Sequence, residues 1–197
     1  LGLHDIIVMM PDIESYAPAI ESVFSVENSL AFSISDRRQR CESELLTAFF
    51  KILALAGSRF EKRAVLDLLL SDSIARRFNI RSSELDVLEN LVAAAGILWG
   101  HNADHRQSLS LPGYRENTWE IGFDRLFLGM AMAGPDSGLI MDRAPCSLLE
   151  GLELDLLGRF YHFYHTLSGT VLSFGKNRSM GAWKETIARS IRGLLIR

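Results

Sequence analysis

Residues 5–12, with the sequence DIIVMMPD, constrain the fold of this chain more than any other segment. An uninterrupted apolar run that ends in Pro and Asp is typical of a strand buried on both faces, as in parallel sheets. The next segment favours a helix, because Ser15 can cap its start and the apolar residues of 19–24 share one face. Residues 30–34 then alternate apolar with small or polar side chains. The beginning of the chain therefore predicts a strand–helix–strand unit.

The turn between the first predicted strand and its helix argues against a nucleotide site. A phosphate-binding turn needs glycines, whose backbone N–H groups can approach the phosphate closely. This turn has no glycine and carries Asp12 and Glu14, two carboxylates that repel phosphate. We expect no ATP binding, no catalytic residue and no cofactor in this chain.

The pattern changes after Arg40, where helical spacing of apolar residues replaces alternation. Helical faces are predicted over 45–56, 60–69, 85–95, 119–130, 148–174 and 183–196, with a long loop over 99–118. Gly57 and Gly96 are expected to end two of these helices. The sequence thus predicts a mainly α (α+β) chain with two domains, 1–40 for the strand–helix–strand unit and 41–197 for a helical subdomain.

Composition excludes several classes of protein. Hydrophobic residues make up 48% and charged residues 23% of the chain, and the apolar runs are shorter than the ~20 residues that span a bilayer. Cys41 and Cys146 lie far apart, which favours a reduced, cytoplasmic protein. A net charge of −3 argues against binding nucleic acid through bulk electrostatics. A start at Leu1 and an uncapped helical pattern at the end indicate a fragment of a longer protein.

Arg37, Arg38 and Arg40 are the best candidates for contacting nucleic acid. Three guanidinium groups so close in sequence can clamp phosphates. A surface charge run paired with neighbouring carboxylates explains the same residues equally well. Any DNA contact by this cluster is therefore expected to be local and independent of base sequence.

Two other patterns admit more than one interpretation. His101 and His105 have a spacing that binds zinc on a helix, but no third ligand is evident, so we predict no metal. Trp99, Tyr114 and Trp119 can stack on bases or fill the core, and core packing is favoured.

Residues 73–85 resemble a helix-turn-helix, which offers an alternative function as an autonomous DNA-binding regulator. The second helix of such a motif enters the major groove and needs side chains that tolerate phosphates. Here that helix presents Glu84, Asp86 and Glu89 and no basic residue. Ordinary packing of a helical hairpin is favoured, with Arg76, Arg77 and Arg81 as a solvated edge.

Several longer segments occur in a characteristic order along nearly the whole chain. They are DIIVMMPDIESYAPAIESVF with FSISDRRQR, SRFEKRAVLDLLLSDSIARRFNI, AAAGILWGHNADHR, LPGYRENTWEIGFDRLFLGMAM, EGLELDLLGRF and MGAWKETI. Together they resemble the RecC family, the gamma chains of exodeoxyribonuclease V, which are helicase relatives without ATPase motifs. The resemblance implies that residues 1–40 are a piece of a RecA-like parallel sheet and that the rest is its helical insertion.

The same resemblance implies a function and partners. The chain would be a non-catalytic part of a subunit that handles DNA during ATP-dependent processing of double-strand breaks for recombinational repair. Its partners would be a RecB-like helicase-nuclease, a RecD-like helicase and DNA held by the full complex, with no membrane. The family's residues that read the recombination signal lie outside the matching segments, so none is assigned here.

Overall fold

The computed structural model describes residues 6–24, 32–34, 44–131, 139, 142–146 and 153–195. Contacts divide the chain into two units, Leu1–Ser43 and Glu44–Arg197. The α-helices are α1 Ile13–Phe24, α2 Glu44–Ala54, α3 Lys62–Leu66, α4 Asp72–Arg77, α5 Leu85–Ala94, α6 Ala103–Ser108, α7 Trp119–Ala131, α8 Glu153–Phe174 and α9 Met180–Leu194. Short 3-10 helices, Asp67–Leu70 and Ser82–Glu84, follow α3 and precede α5.

The predicted strand–helix–strand piece of a RecA-like parallel sheet is wrong, because the described residues contain helices and no strand. Residues 6–10 have no regular structure, and residues 6–9 are exposed, with Ile7 at 82% and Met9 at 90% of their full accessibility. Residues 32–34 have no regular structure either. A strand buried on both faces requires hydrogen-bonded neighbours and covering layers, and the described part of the chain supplies no second strand. The intervening helix forms as α1, but it begins at Ile13 and so contains Ser15, the predicted cap.

Helix α8 is the central element of the second unit. Leu157, Phe160, Phe163 and Leu167 recur along it at helical spacing, and all four are fully buried. The core around them also contains the buried apolar residues Ile52, Val65, Leu68, Ile74, Leu88, Val92, Ile97, Trp119, Leu126 and Leu194. A helix with such a regular apolar stripe stabilises the unit by removing that stripe from water. Among the described helices, none combines the length and apolar character of a membrane span.

Two glycines let α7 approach its neighbours closely. A Cβ atom on Gly122 would lie 2.0 Å from the Ile97 side chain, which is itself fully buried. A Cβ atom on Gly129 would lie 1.8 Å from the carbonyl oxygen of Cys146. Both distances are far below van der Waals contact, so these positions require glycine because of packing.

The helix ends in the second unit agree in part with the sequence. Gly57 and Gly96 have the left-handed φ of helix-terminating glycines, +76° and +73°. The predicted loop 99–118 is interrupted by α6, a short helix that begins after Asn102. The Asn102 side chain accepts a hydrogen bond from the His105 amide at 2.9 Å and so caps this helix. A six-residue helix has too few apolar positions to produce a periodic pattern.

Candidate nucleic-acid interface

Three short segments are joined by backbone hydrogen bonds at one corner of the second unit. The Lys62 amide donates to the Leu98 carbonyl at 3.0 Å, and the Gly100 amide donates to the Arg59 carbonyl at 2.8 Å. The Leu98 amide in turn donates to the Asn117 carbonyl at 3.0 Å. These bonds connect the start of α3, the segment after α5 and the segment before α7. They hold side chains far apart in sequence at a fixed separation.

Trp119 lies next to these segments, with its amide bonded to the Gly100 carbonyl, and has no exposed surface. Its indole Nε1 donates to the Phe60 carbonyl at 2.9 Å, and its ring stacks on Tyr164 with 4.5 Å between centroids. A fully buried aromatic side chain with a satisfied N–H group is a core residue. The prediction that aromatic residues near the loop pack in the core therefore holds for Trp119.

Arg106 binds two other residues of the loop, Trp99 and Tyr114, and is almost completely buried, at 5% exposure. Its guanidinium carbon lies 3.9 Å from the centroid of the Trp99 ring. Nη1 donates to the Tyr114 carbonyl at 2.8 Å, and Nη2 donates to the Trp99 carbonyl at 3.0 Å. Burial lowers the pKa of Arg106, while the carboxylate of Glu116 acts in the opposite direction. Arg106 thus fixes the positions of Trp99 and Tyr114.

Gly100 is required beside Arg106. Its φ is +86°, in the left-handed region, and a Cβ atom there would lie 2.8 Å from Arg106 Nε. That Nε atom is buried and has no hydrogen-bond partner among the described residues. A side chain at position 100 would therefore displace the guanidinium from the Trp99 ring.

The outer surface of this structure consists of Arg59, Trp99 and Tyr114, which we call the aromatic corner. The Arg59 guanidinium carbon lies 5.9 Å from the Trp99 ring centroid, and Arg59 itself is exposed. Trp99 is half-buried and Tyr114 is 68% exposed. Among the described residues, no ion pair includes Arg59. Arg59 lies beside the half-buried Trp99 ring, and Arg106 holds the backbone of Tyr114 to that of Trp99. A cation and aromatic rings are the groups that bind single-stranded nucleic acid, through phosphate contact and base stacking.

His101 and His105, close to Trp99 in the sequence, form hydrogen bonds with other groups of the protein. His101 Nδ1 shares a hydrogen bond with the Tyr164 hydroxyl at 2.7 Å, and His105 Nδ1 accepts from the His101 amide at 3.3 Å. The His, Cys, Asp and Glu side chains of the described ranges form no group of three that could hold a metal ion. The expected absence of a metal stays a prediction.

Burial makes both imidazoles harder to protonate. It lowers the pKa of His101 below the ordinary value of 6.5, and the imidazoles of His105 and His165 lower it further. Burial also lowers the pKa of His105, against a backbone hydrogen bond at Ser58 that raises it. The unfolded chain therefore binds these protons at higher pH than the folded chain does.

We expect the free energy of unfolding to fall as pH drops below about 6.5, because protons bind preferentially to the unfolded chain there. The pKa values of Glu44 and Glu84 are lowered from the ordinary value of 4.5. The stability that these two carboxylates contribute is therefore lost at lower pH than the histidine effect. Urea unfolding between about pH 5.5 and 7.5 isolates the histidines, because the carboxylates of the unfolded chain remain mostly ionised there. His101→Gln should flatten this pH dependence. An unchanged slope in His101→Gln would contradict the assignment.

The helix-turn-helix candidate is a hairpin packed on α8. Arg159 donates from Nη2 to Glu84 Oε1 at 2.9 Å and from Nη1 to Glu84 Oε2 at 3.2 Å. Glu84 Oε2 also accepts from the Arg81 amide at 2.7 Å. The start of the second helix is therefore tied to α8 by a two-pronged ion pair. Arg77, predicted to be solvated, is half-buried and donates from Nε to the Gly193 carbonyl at 3.2 Å.

The remaining residues predicted from the sequence are Arg37, Arg38, Arg40 and Ser15. Arg37, Arg38 and Arg40 lie outside the described residues. Ser15 does not cap α1 as predicted; instead Asp12 precedes the helix and accepts a hydrogen bond from the Ser15 hydroxyl. Neither Arg59 nor Arg106 was singled out from the sequence. No local signal identifies them, because their contacts with Trp99 depend on segments that meet only in the folded unit.

Comparisons with known proteins give one consistent result. Residues 42–196 match the family model described as the fourth domain of RecBCD enzyme subunit RecC. The chain is 35% identical to RecC of Escherichia coli strain K12 over 183 residues, 91% of the chain and 16% of the relative. It is 29% identical to RecC of Mycolicibacterium smegmatis and 28% identical to RecC of Haemophilus influenzae, each over 98% of the chain and 19% and 17% of the relative. The chain thus spans less than a fifth of the length of these relatives.

Proposed function

Because the chain belongs to the RecC family, we propose that it is a non-catalytic, DNA-handling part of the gamma subunit of exodeoxyribonuclease V. The subunit acts in ATP-dependent processing of double-strand breaks for recombinational repair. The match to the fourth domain of RecC over residues 42–196 carries this proposal. It covers every helix from α2 to α9. The alternative, an autonomous helix-turn-helix regulator, receives no support from the relatives, all of which are named as RecC.

We propose further that the partners of the complete subunit are a RecB-like helicase-nuclease and a RecD-like helicase in the cytoplasm. Within the subunit, residues 41–197 act as a helical subdomain and residues 1–40 as a separate domain. Affinity purification of the full-length subunit should retain both partner chains, and the complex should degrade linear duplex DNA with ATP. Failure to retain either chain would contradict the proposal.

This part of the subunit should neither bind nor hydrolyse ATP. The segment before α1 has no glycine-rich turn, and the Asp12 carboxylate directly precedes the helix. A carboxylate at this place repels the phosphates that a helix N-terminus would otherwise attract. Isothermal calorimetry with ATP and the 197-residue chain should show no binding. Micromolar affinity that is lost on substitution of Asp12 would refute the proposal.

DNA handling is assigned to two places. The aromatic corner offers the exposed guanidinium of Arg59 and the exposed ring of Tyr114. Arg37, Arg38 and Arg40 offer a second cationic cluster in the sequence. The first place supports both stacking and phosphate contact, and the second supports phosphate contact alone. Phosphate contacts and stacking on aromatic rings carry no sequence information, so both places should bind DNA without sequence preference.

Salt dependence separates these roles in the assembled complex. Replacing Arg37, Arg38 and Arg40 together by Ala should flatten the dependence of log Kd on log salt by up to about three units, and Arg59→Ala by about one unit. Tyr114→Ala should weaken binding by about 1–3 kcal/mol without changing the slope, because stacking releases no counterions.

Arg189→Ala is the control variant, because it removes one positive charge at a position outside the aromatic corner. Arg189 is exposed on α9 and has no ion pair among the described residues, so its replacement should leave both slope and affinity unchanged. Fluorescence anisotropy with single-stranded oligonucleotides at several salt concentrations measures all the variants. An Arg59→Ala slope equal to that of Arg189→Ala would remove the aromatic corner from the DNA path. An unchanged slope in the triple variant would make the arginine cluster an ordinary solvated surface.

A further inference from the structure

The solvent face of α8 has a composition unlike that of an ordinary surface helix. Between Arg159 and Lys176 the sequence contains no Asp, Glu, Lys or Arg. Yet one side of the helix is exposed along its length, at residues recurring every three or four positions: Leu154, Gly158, Tyr161, His165, Gly169 and Leu172. We call these six residues the α8 face. It is about 27 Å long at the rise of an α-helix.

Other helices of the unit show what a solvated face looks like here. The exposed side of α9 carries Lys184, Glu185, Arg189 and Arg192. On the exposed side of α5 lie acidic side chains such as Asp86. Charged residues normally cover the outward side of a helix that stays in water. Asp155, in the first turn of α8, is exposed, but from Gly158 onward the exposed residues of this longest described helix include no Asp, Glu, Lys or Arg. This distinguishes α8 from the other helices of the unit.

Two hydroxyl groups near this face, those of Thr166 and Ser173, already bond to the helix itself. Thr166 Oγ1 donates to the His162 carbonyl at 2.8 Å, and Ser173 Oγ donates to the Thr170 carbonyl at 2.7 Å. A hydroxyl that bonds back to its own helix needs no water as a partner when it is covered. The cost of removing this side of α8 from water is reduced accordingly.

The two glycines of the α8 face are not required by the unit. A Cβ atom at Gly158 or Gly169 would meet no atom within 4 Å, and neither residue has a positive φ. Alanine would fit at both and would favour the helix, since glycine destabilises a helix interior. At Gly129, by contrast, the backbone of Cys146 leaves no room for a side chain. Glycines that nothing inside the unit touches are the positions where an outside backbone can approach α8 closely.

We propose that the α8 face is an interface inside the complete subunit, covered by another domain of the same polypeptide. This inference rests on the proposed function. The chain spans 16–19% of its matched relatives and corresponds to the domain counted as fourth, so most of the polypeptide lies outside it. The complementary surface is uncharged and carries a ridge, such as a helix, that crosses α8 at its glycines. Charged partners are excluded, because the α8 face offers no ion to pair with them.

Thiol labelling of the full-length subunit tests this interface. Tyr161→Cys and Leu172→Cys place a thiol on the α8 face, and Lys184→Cys places one on the charged side of α9. With the unsubstituted subunit as background, both α8 thiols should react with a maleimide at least about tenfold more slowly than the α9 thiol. Circular dichroism melting confirms that each variant is folded. Equal rates at the three positions would overturn the proposal.

The source of the cover is decided by labelling the subunit alone and in the three-chain complex. Slow labelling in the isolated subunit supports cover by its own polypeptide. Labelling that slows only in the complex assigns the α8 face to a partner chain and overturns the proposal as stated. Complex formation by the unsubstituted subunit is measured in parallel. A subunit that assembles but labels rapidly refutes this inference alone, whereas one that does not assemble refutes the proposed function.

The glycines are tested on the Leu172→Cys background. Adding Gly169→Ala should increase the labelling rate several-fold, because the new methyl group separates the packed surfaces. Adding Gly181→Ala should leave the rate unchanged, since Gly181 lies on α9 and also has nothing within 4 Å of its Cβ position. Equal rates on the two backgrounds would contradict a close approach at Gly169.

Discussion

Replacing Trp119 by Ala is expected to lower the free energy of unfolding by about 3–5 kcal/mol. Trp119 is the largest fully buried side chain of the described residues. Its removal leaves a cavity between Tyr164, Phe123 and Phe160, whose ring centroids lie 4.5, 5.9 and 6.1 Å from that of Trp119. The Phe60 carbonyl also loses the hydrogen bond from Nε1. Such a loss is a large fraction of the 5–15 kcal/mol that typically stabilises a domain.

Two variants separate the contributions at this position. Trp119→Phe keeps an aromatic ring but loses the N–H donor, so it should cost less, about 1–3 kcal/mol. Trp183→Ala removes a half-buried tryptophan of α9 that packs on Phe174 at 6.0 Å, and it should cost less than Trp119→Ala. Urea unfolding followed by circular dichroism measures all three. A Trp119→Ala variant within about 1 kcal/mol of the original chain would contradict the central role of this residue.

Gly129→Ala is expected to destabilise the chain by about 3 kcal/mol or more, although it adds a single methyl group. The new Cβ atom would lie 1.8 Å from the Cys146 carbonyl oxygen and 2.5 Å from the carbonyl carbon. Both are backbone atoms, so no change of rotamer relieves the contact. The Cys146 amide is also bonded to the Arg125 carbonyl at 2.9 Å, which holds this segment against α7. Either α7 or the segment must move, and packing is lost on both sides.

Gly181→Ala is the matched control for Gly129→Ala. It makes the same chemical change in a helix, at an exposed position where a Cβ atom meets nothing within 4 Å. Its effect should stay within about 0.5 kcal/mol. Thermal unfolding of the two variants side by side measures the difference. Equal melting temperatures would show that residues 142–146 move away from α7 without a loss of stability, which contradicts the prediction.

The helical part of the fold was predictable wherever one helix is long and amphipathic. The predicted face over 119–130 corresponds to α7, and the predicted end at Gly96 corresponds to the end of α5. Short elements were not predictable, because α6 contains fewer than two turns and owes its position to the Asn102 cap and to Arg106. The strand prediction at 5–12 failed for another reason: an apolar run permits a buried strand, but only neighbouring strands can form one.

The candidate site was predictable only through its residue types. The aromatic side chains near the loop indicated the region of the site. Their burial differs, however: Trp119 is buried, Trp99 is half-buried and Tyr114 is 68% exposed. Trp99 and Tyr114 are held by Arg106, whose guanidinium lies against Trp99 and binds the Tyr114 carbonyl, whereas Trp119 packs on Tyr164 in the core. No feature of the local sequence predicts that a basic residue on a short helix is buried. Burial of Arg106 depends on carbonyl groups supplied by other segments.

The sequence by itself determined the family, the helical character after residue 43 and the charge-free stretch between Arg159 and Lys176. These properties are local, since they follow from residue order and from spacing along one helix. Only the tertiary structure decided which side of α8 is exposed and which glycines have neighbours. Burial and close approach are relations between segments distant in sequence, such as α7 and Cys146, so no single stretch of residues encodes them.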